Sequence, residues 1–158
     1  NGRALMQLHK SPMFAAVCVI KTLLEVLRRQ NMARVTQLVI HGENKPGILA
    51  QICTELAKVA VNIVAVMAAQ EQAHGVRIVA SPLPTAKKVL DGLHISYAEE
   101  DAVAVRLTDR PGALGRVTRK LADAGINITY AYGSIVKGEE RALIVLGVSD
   151  LAKASNLV

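Results

Sequence analysis

Residues 41–70, HGENKPGILAQICTELAKVAVNIVAVMAAQ, return later in the chain as a second stretch of the same design, residues 106–135, RLTDRPGALGRVTRKLADAGINITYAYGSI. The two stretches align without a gap at a constant offset of 65 residues. Identical residues stand in the turn, in the helix after it and at the start of the next strand: Pro46 and Pro111, Gly47 and Gly112, Leu49 and Leu114, Leu56 and Leu121, Ala57 and Ala122, Asn62 and Asn127, Ile63 and Ile128. Identities spread over three kinds of element indicate an internal repeat, which decides the fold before any single element does.

Hydrophobic periodicity and turn residues predict the order βαββαβ for the first copy. The predicted elements are a strand at 35–41, a helix opening at the turn 44–47, strands at 61–70 and 76–80, a helix at 85–93 and a short strand at 95–98. The inner face of the first helix is predicted from its apolar spacing to carry Leu49, Ile52, Cys53, Leu56 and Val59.

The second copy repeats this order from a strand at 103–107. Its first helix follows Pro111-Gly112, ends at Gly125 and is predicted to bury Leu114, Val117, Leu121 and Ala124. Ile126, Ile128, Tyr130 and Tyr132 mark one face of the next strand, residues 141–147 return, and a second helix begins near 149. No fourth strand follows, so either the chain is cut short or some other segment closes that edge of the sheet.

The chain is predicted to divide into an N-terminal extension or linker at 1–31, a first unit at 32–99 and a C-terminally incomplete second unit at 100–158. The best local prediction for the extension is a helix over 12–29, with Pro12 in its first turn. This helix is interpreted as docking on the surface, with a membrane or a partner as the alternative.

Composition excludes several classes of function. The net charge is +6, but residues 1–31 contribute +4 and the remaining 127 residues only +2, so no surface for polyanions is implied. Two isolated cysteines, outside any metal-binding spacing, predict a reducing, cytoplasmic setting without a zinc site or another metal. The apolar run from Met13 to Ile20 is too short to cross a membrane. No nucleophile, phosphate-loop or dinucleotide motif is present, so we expect neither catalysis nor a cofactor.

The Pro-Gly pair suggests a ligand site because it opens a helix directly after a strand. The backbone N–H groups of Gly47 and Ile48, and those of Gly112 and Ala113 in the second copy, would then meet a carboxylate at the positive end of the helix dipole. The alternative is purely structural, a tight start of a helix against the sheet.

Asn62 and Asn127 are the second candidates. Each stands just inside an apolar strand, where an amide is a poor strand former and needs partners if it is buried. An amide both donates and accepts, so it can hold either end of an amino acid. The alternative is that each Asn caps the turn before it.

Residues 43–49 with 61–63, and 109–114 with 125–128, resemble the signature of ACT domains. The resemblance covers Val35 to about Val158 and implies ferredoxin-like βαββαβ units of α+β class, with sheets joined side by side and an amino acid bound between ACT units. Asn44 and Asp109 match the polar turn position, and Asn62 and Asn127 the Asn of the second strand, which contact the ligand in serine-binding relatives. Those relatives often carry a His two residues before the turn Asn, where this chain has Gly42.

The resulting hypothesis is a non-catalytic, allosteric amino-acid sensor that acts as a homodimer or with a partner enzyme, without nucleic acid or membrane. One alternative is a regulatory fragment of an amino-acid biosynthetic enzyme. Another is an RNA-binding βαββαβ module, which would need exposed aromatic side chains on its central strands. The third strands, at 76–80 and 142–147, contain none.

Overall fold

The chain is described by a computed structural model that covers residues 32–41, 45–69, 75–134 and 141–157. The helix predicted over 12–29 and the turn residue Asn44 lie outside the described residues. The strands are β1 (Met32–His41), β2 (Asn62–Ala69), β3 (Gly75–Ser81), β4 (Tyr97–Thr108), β5 (Ile128–Ser134) and β6 (Arg141–Val148). The helices are α1 (Ile48–Lys58), α2 (Leu83–Gly92), α3 (Ala113–Asp123) and α4 (Leu151–Ser155).

The six strands form one antiparallel sheet in the order β2-β3-β1-β4-β6-β5. Strands β2, β3, β1 and β4 form a complete ferredoxin-like unit. Strand β4 also belongs to the second copy, in which β4, β6 and β5 repeat β1, β3 and β2 of the first. The predicted α+β class and the tandem of ferredoxin-like units side by side are therefore confirmed.

Strand β4 differs from the prediction because two expected strands are one. The strands predicted at 95–98 and 103–107 are joined through Glu99, Glu100 and Asp101, and the predicted unit boundary after residue 99 lies inside β4. Acidic residues disfavour strands, but each of these three has a basic or hydroxyl partner: Lys87 for Glu99, Arg77 and Tyr130 for Glu100, and Arg34 and Thr36 for Asp101. Pairing across the sheet thus outweighs local preference.

The register between β1 and β4 relates the two copies by a local twofold axis. Met32 pairs with Val105. The residues equivalent to these two in the other copy are Tyr97 and Ile40, and they also pair with each other. Thr36 and Asp101 are equivalent positions of the two copies and pair with each other, so the axis passes between them. The N-terminal half of β1 occupies the place beside β4 where a fourth strand of the second copy would lie, so another segment does cover that edge.

All four helices lie on one face of the sheet and cover two separate cores. Leu38, Ile40 and Ile78 contact Ile52 and Leu56 of α1 in the first copy. The second copy has a matching core that combines Val103, Val105, Leu107 and Leu146 with Ala113, Leu121 and Ala154. Burial of a large aliphatic side chain contributes roughly 1.5–3 kcal/mol, so each unit has its own main source of stability.

The predicted inner faces of α1 and α3 are partly wrong. Cys53 on α1, Val59 directly after it and Leu114 on α3 are exposed. The buried residues are Ile52 and Leu56 in α1 and Ala113 and Leu121 in α3, so each helix buries a stripe narrower than its apolar spacing suggests.

The opposite face of the sheet is concave. The first and last strands in the sheet order, β2 and β5, approach within 8 Å at their Cα atoms, so the sheet curls toward a barrel. Ala65, Val79, Ala102 and Val145 are buried on this face although no described helix covers it. Curling therefore gives the concave face a third, smaller core.

Candidate functional site

The two Pro-Gly junctions have the same backbone geometry. The carbonyl of Lys45 accepts from the N–H of Ile48 at 3.4 Å, and Gly47 between them has φ 93° and ψ −16°. In the second copy φ and ψ of Gly112 are 83° and −4°. Proline followed by a residue with positive φ is the pattern of a type II turn, in which glycine is strongly preferred. The glycines are thus needed for the turn itself.

The N–H groups behind these turns are not all free. The N–H of Ile48 donates to Lys45, and that of Ala113 donates to the carbonyl of Arg110 at 3.1 Å, so the expectation of a bare N–H at Ile48 is wrong. The bond of Ile48, at 3.4 Å, is longer than the usual 2.7–3.2 Å range for N–H to O. A ligand carboxylate would displace this bond more easily than the shorter one in the second copy.

The described residues leave space around both junctions. Among them, neither helix has a side-chain cap at its N-terminal glycine. Within the same residues, which leave out 42–44 beside the first junction, a Cβ atom on Gly47 would meet no atom within 4 Å, and one on Gly112 would meet only Nη1 of Arg116, at 3.6 Å. Arg116 is exposed, and its counterpart in the first copy is Gln51. The second junction therefore carries a guanidinium that the first one lacks.

The candidate residues differ in burial. Gly47, Asn62, Asp109, Gly112 and Asn127 are exposed, whereas Ile48 is half-buried. Ala113 is 7% exposed, and its methyl group belongs to the second core. Only the backbone of Ala113 could therefore contact a ligand.

The two asparagines stand at equivalent strand starts. Asn62 pairs with Ser81. Asn127 exchanges bonds with Ser149, donating its N–H to the hydroxyl at 3.0 Å and accepting from the Ser149 N–H at 2.9 Å. Strand pairing thus uses the backbone of both asparagines and leaves their amides at the surface.

Each asparagine lies far from the junction of its own copy. His41, the last residue of β1 before the first turn, pairs with Gly75 at one end of β3, whereas Asn62 pairs with Ser81 at the other end. In the second copy Thr108 pairs with Arg141, and Asn127 contacts the opposite end of β6. Junction and asparagine of the same copy are therefore not brought together within one chain.

Side chains that sequence reasoning did not combine meet on the concave face. The Tyr132 hydroxyl donates to Oε1 of Gln37 at 2.6 Å, Nε2 of Gln37 donates to the Tyr130 hydroxyl at 2.5 Å, and the Tyr130 hydroxyl donates to Glu100. The guanidinium carbon of Arg77 lies 4.7 Å from the centre of the Tyr130 ring, and its Nε lies 3.6 Å from Glu100. We call these five residues the concave-face network.

Tyr130 and Tyr132 lie on one face of β5, and their rings stack with centroids 6.4 Å apart. The prediction that Ile126 and Ile128 share this face is wrong, because an irregularity between Ile128 and Tyr130 leaves the isoleucines in the helix-covered core. The Tyr130 ring lies over Gly147, where a Cβ atom would come within 2.2 Å of it. Their partner Gln37 is fully buried, and its only sequence signal is a polar residue in the apolar strand 35–41. That signal does not identify which strand the side chain contacts.

The two phenols of the network remain protonated over the physiological range. Burial raises the pKa of Tyr132 to about 12. The pKa of Tyr130 is also raised, first by burial and then by its bond to Glu100. Both hydroxyls are therefore available as donors.

Metal-binding and membrane-spanning features were also sought. The residues that the structure describes contain no group of three or more His, Cys, Asp or Glu side chains arranged to hold a metal ion. Among the same residues, no helix has the length and apolar character to cross a membrane.

A duplicated βαββ unit with helices on one face and a Pro-Gly turn before each first helix defines the tandem ACT class of regulatory folds. The family model of the ACT domain pair matches residues 32–158, so the chain belongs to this family. An ACT domain pair is a regulatory module.

Solved structures share this fold. The chain is similar to protein BT0572 from Bacteroides thetaiotaomicron, at 29% identity over 81% of this chain and 88% of that one, with a TM-score of 0.72. It also shares its fold with the ligand-free regulatory subunit of aspartate kinase from Thermus thermophilus, at 15% identity over 80% and 89% of the chains and a TM-score of 0.57. The corresponding subunit from Thermus flavus has 15% identity over 80% and 92%, with a TM-score of 0.52. A comparison with curated proteins gave no match.

Proposed function

We propose that the chain is a non-catalytic amino-acid sensor whose ligand binds at the Pro-Gly junctions between ACT units. The observation that carries this proposal is the same uncapped type II turn at the start of both α1 and α3. Eleven-residue helices present partial positive charge at these ends, where a carboxylate is stabilised by about 0.3–1 kcal/mol. The α-carboxylate of an amino acid suits such an end better than a neutral metabolite does.

A second ACT unit completes the site in this proposal. Asn127 directly precedes β5 at the end of the sheet where the first junction lies, but β4 and β6 stand between β1 and β5. Measured along the strand ladder, three strand spacings amount to about 14 Å, so Asn127 and the first junction are not neighbours there. The amide that holds the ammonium group would therefore come from another copy of the chain or from a partner enzyme, in a cytoplasmic assembly.

Regulation follows if the ligand binds the assembled state better than the separate state. Such a ligand shifts the population toward assembly by its difference in affinity. It also raises the thermal stability of the folded chain by mass action, by about 2.7 kcal/mol at a concentration one hundred times its Kd.

The experiment is a thermal-shift screen of the full chain against the twenty amino acids at millimolar concentration, with sedimentation velocity for each one that binds. We expect one amino acid, or a related group, to raise Tm and to move the chain to a larger species. Asn127→Ala should weaken this response without a loss of folding, because its amide is exposed. Asn156→Ala, which removes an exposed amide at the end of α4, is the matched control and should respond like the wild type. No shift with any amino acid on a folded chain would refute the proposal.

The RNA-binding alternative is weakened by the concave-face network. Its two tyrosines are the aromatic residues of β5, and both hydroxyls are engaged with Gln37 and Glu100. Rings held in this way are not free to stack on unpaired bases. Salt-sensitive RNA binding below micromolar concentration would restore this alternative.

A further inference from the structure

The concave-face network joins β5, the edge strand of the second copy, to the two central strands of the first copy. Tyr130 and Tyr132 belong to β5, whereas Gln37 and Arg77 belong to β1 and β3. In the sheet order, β5 is three places from β1 and four from β3. These contacts are therefore made across the hollow of the curled sheet and not along the strand ladder.

The equivalent positions of the other copy contain no such network. The repeat offset relates Gln37 to Ala102, Glu100 to Val35, Tyr130 to Ala65 and Tyr132 to Met67. The register relates Arg77 to Val145, because each faces the equivalent residue of the neighbouring strand, Met67 or Tyr132. Ala65, Ala102, Val145 and the half-buried Val35 belong to the apolar core of the concave face. The hydrogen-bonded network is thus present once, and its residues lie beside apolar ones: Tyr132 pairs with Val145, and Arg77 pairs with Met67.

The absence of a side chain at Gly147 makes room for the Tyr130 ring in the second copy. Ala65 pairs with Val79 in the first copy, whereas Tyr130 pairs with Gly147 at the same place in the second. A small residue faces a larger one in both copies, but the larger residue is on β3 in the first copy and on β5 in the second. The missing Cβ of Gly147 lets the Tyr130 ring lie flat over the strand, with its hydroxyl reaching Gln37 and Glu100.

We propose that the concave-face network is a one-sided latch, which holds β5 over the hollow and connects the edge of the second copy to β1 and β3 of the first. When the latch opens, β5 loses its contacts with the first copy, including those with β2. The closed and open conformations therefore differ on the concave face, while the helix-covered cores keep their packing. A partner that displaces β5 acts on both copies, because Gln37 lies at the centre of the sheet, one residue from the twofold axis.

Buried polar groups make this latch cooperative. Gln37 is fully buried, and both ends of its amide are bonded to tyrosine hydroxyls. If only one hydroxyl is released while β5 still covers Gln37, half of the amide stays buried without a partner, and such an intermediate is penalised. The hydroxyls therefore hold or release Gln37 together, which favours two discrete states over gradual loosening.

Hydrogen exchange measured by mass spectrometry on the full chain tests the latch. The double variant Tyr130→Phe/Tyr132→Phe keeps both rings and removes both hydroxyls. We expect exchange in β5 to accelerate about tenfold or more, since tenfold corresponds to about 1.4 kcal/mol, within the cost of unsatisfied groups. Exchange in α2 should stay within about twofold of the wild type, because its contacts belong to the core of the helix-covered face.

Two further variants separate the latch from a general loss of stability. Tyr97→Phe removes a hydroxyl on the helix-covered face, outside the network, and it should leave β5 exchange unchanged. Glu100→Gln keeps an oxygen that accepts from Tyr130 and should accelerate β5 less than Glu100→Ala does. Unchanged β5 exchange in the double variant, or equal acceleration of α2 and β5, would overturn the latch. This outcome is independent of whether any amino acid binds.

Discussion

The two copies are alike on the helix-covered face and unlike on the concave face. Both place a type II Pro-Gly turn before an eleven-residue helix and a half-buried or buried aliphatic core beneath it. On the concave face the first copy presents Ala65 and Met67 where the second presents Tyr130 and Tyr132. The shared features are those that a common ligand would need, and the differing features set how each edge strand is held. Duplication thus retains the junction and leaves the opposite face free to specialise.

The largest expected effect tests the packing of Tyr130 against Gly147. Gly147→Ala places a Cβ atom 2.2 Å from Cε1 of Tyr130 and 2.7 Å from Oγ1 of Thr129, so the ring must leave its seat. We expect the free energy of unfolding to fall by about 1–3 kcal/mol, the usual cost of overpacking. Denaturant unfolding measures this change.

Gly115→Ala is the matched control, because its Cβ would meet nothing within 4 Å on the exposed side of α3. It should raise stability by about 0.5–1 kcal/mol, the helix preference of alanine over glycine. If Tyr130 is seated as described, Tyr130→Ala should largely relieve the cost of Gly147→Ala. Fully additive losses would contradict the packing of this pair.

A smaller effect tests the equivalence of the junctions. Gly47→Ala and Gly112→Ala force an L-residue into φ of 93° and 83°, at a cost of roughly 1–2 kcal/mol each. Similar losses are expected because the two turns have the same conformation. Gly92→Ala, at a glycine without positive φ and with open space, should cost nothing. A loss confined to one junction would show that the turns are not equivalent.

The phenols give a pH dependence that belongs to the second copy. The folded pKa of Tyr132, about 12, lies above its ordinary value of 10.0, so the folded state holds a proton that the unfolded state loses. This contribution is complete below pH 10 and is lost as the pH rises toward 12. The free energy of unfolding, measured from pH 9 to 12, should therefore fall less steeply with pH for Tyr132→Phe than for the wild type. Equal slopes would show that this phenol is not shielded.

The smallest effect concerns the charge that distinguishes the junctions. Arg116→Gln gives the second junction the residue of the first, and Gln51→Arg does the reverse. An exposed charge contributes about 0.2–1 kcal/mol, so we expect affinity for the bound amino acid to change less than about sixfold, downward and upward respectively. Calorimetric titration measures both changes. Changes of the same sign would argue against a carboxylate at these positions.

The repeat, the βαββ order and the Pro-Gly turns could be predicted from sequence because each depends on local signals. Pro111-Gly112 fixes a turn wherever it occurs, and apolar spacing marks a helix. The continuity of β4 could not be predicted, since Glu99, Glu100 and Asp101 are acceptable in a strand only with their partners from distant segments. The exposure of Leu114 could not be predicted either, because Ala113 and Leu114 are adjacent apolar residues and only the packing decides which one faces the core.

Among the candidate residues, local chemistry identified the junction glycines but not the reason for them. Positive φ explains Gly47 and Gly112 without any ligand. The concave-face network could not be predicted because it depends on curling of the sheet, which brings β5 across to Gln37. No pairwise pattern in the sequence encodes a contact between strands three places apart.

Binding at the junctions is tested most directly by following backbone amide signals in a two-dimensional ¹⁵N–¹H NMR spectrum while the amino acid that raises Tm is added. The account predicts saturable shifts of the amides of Gly47 and Gly112 and their neighbours, with the amides of Gly92 and Gly115 unmoved. Saturable shifts elsewhere, with both junction glycines unchanged, would contradict it.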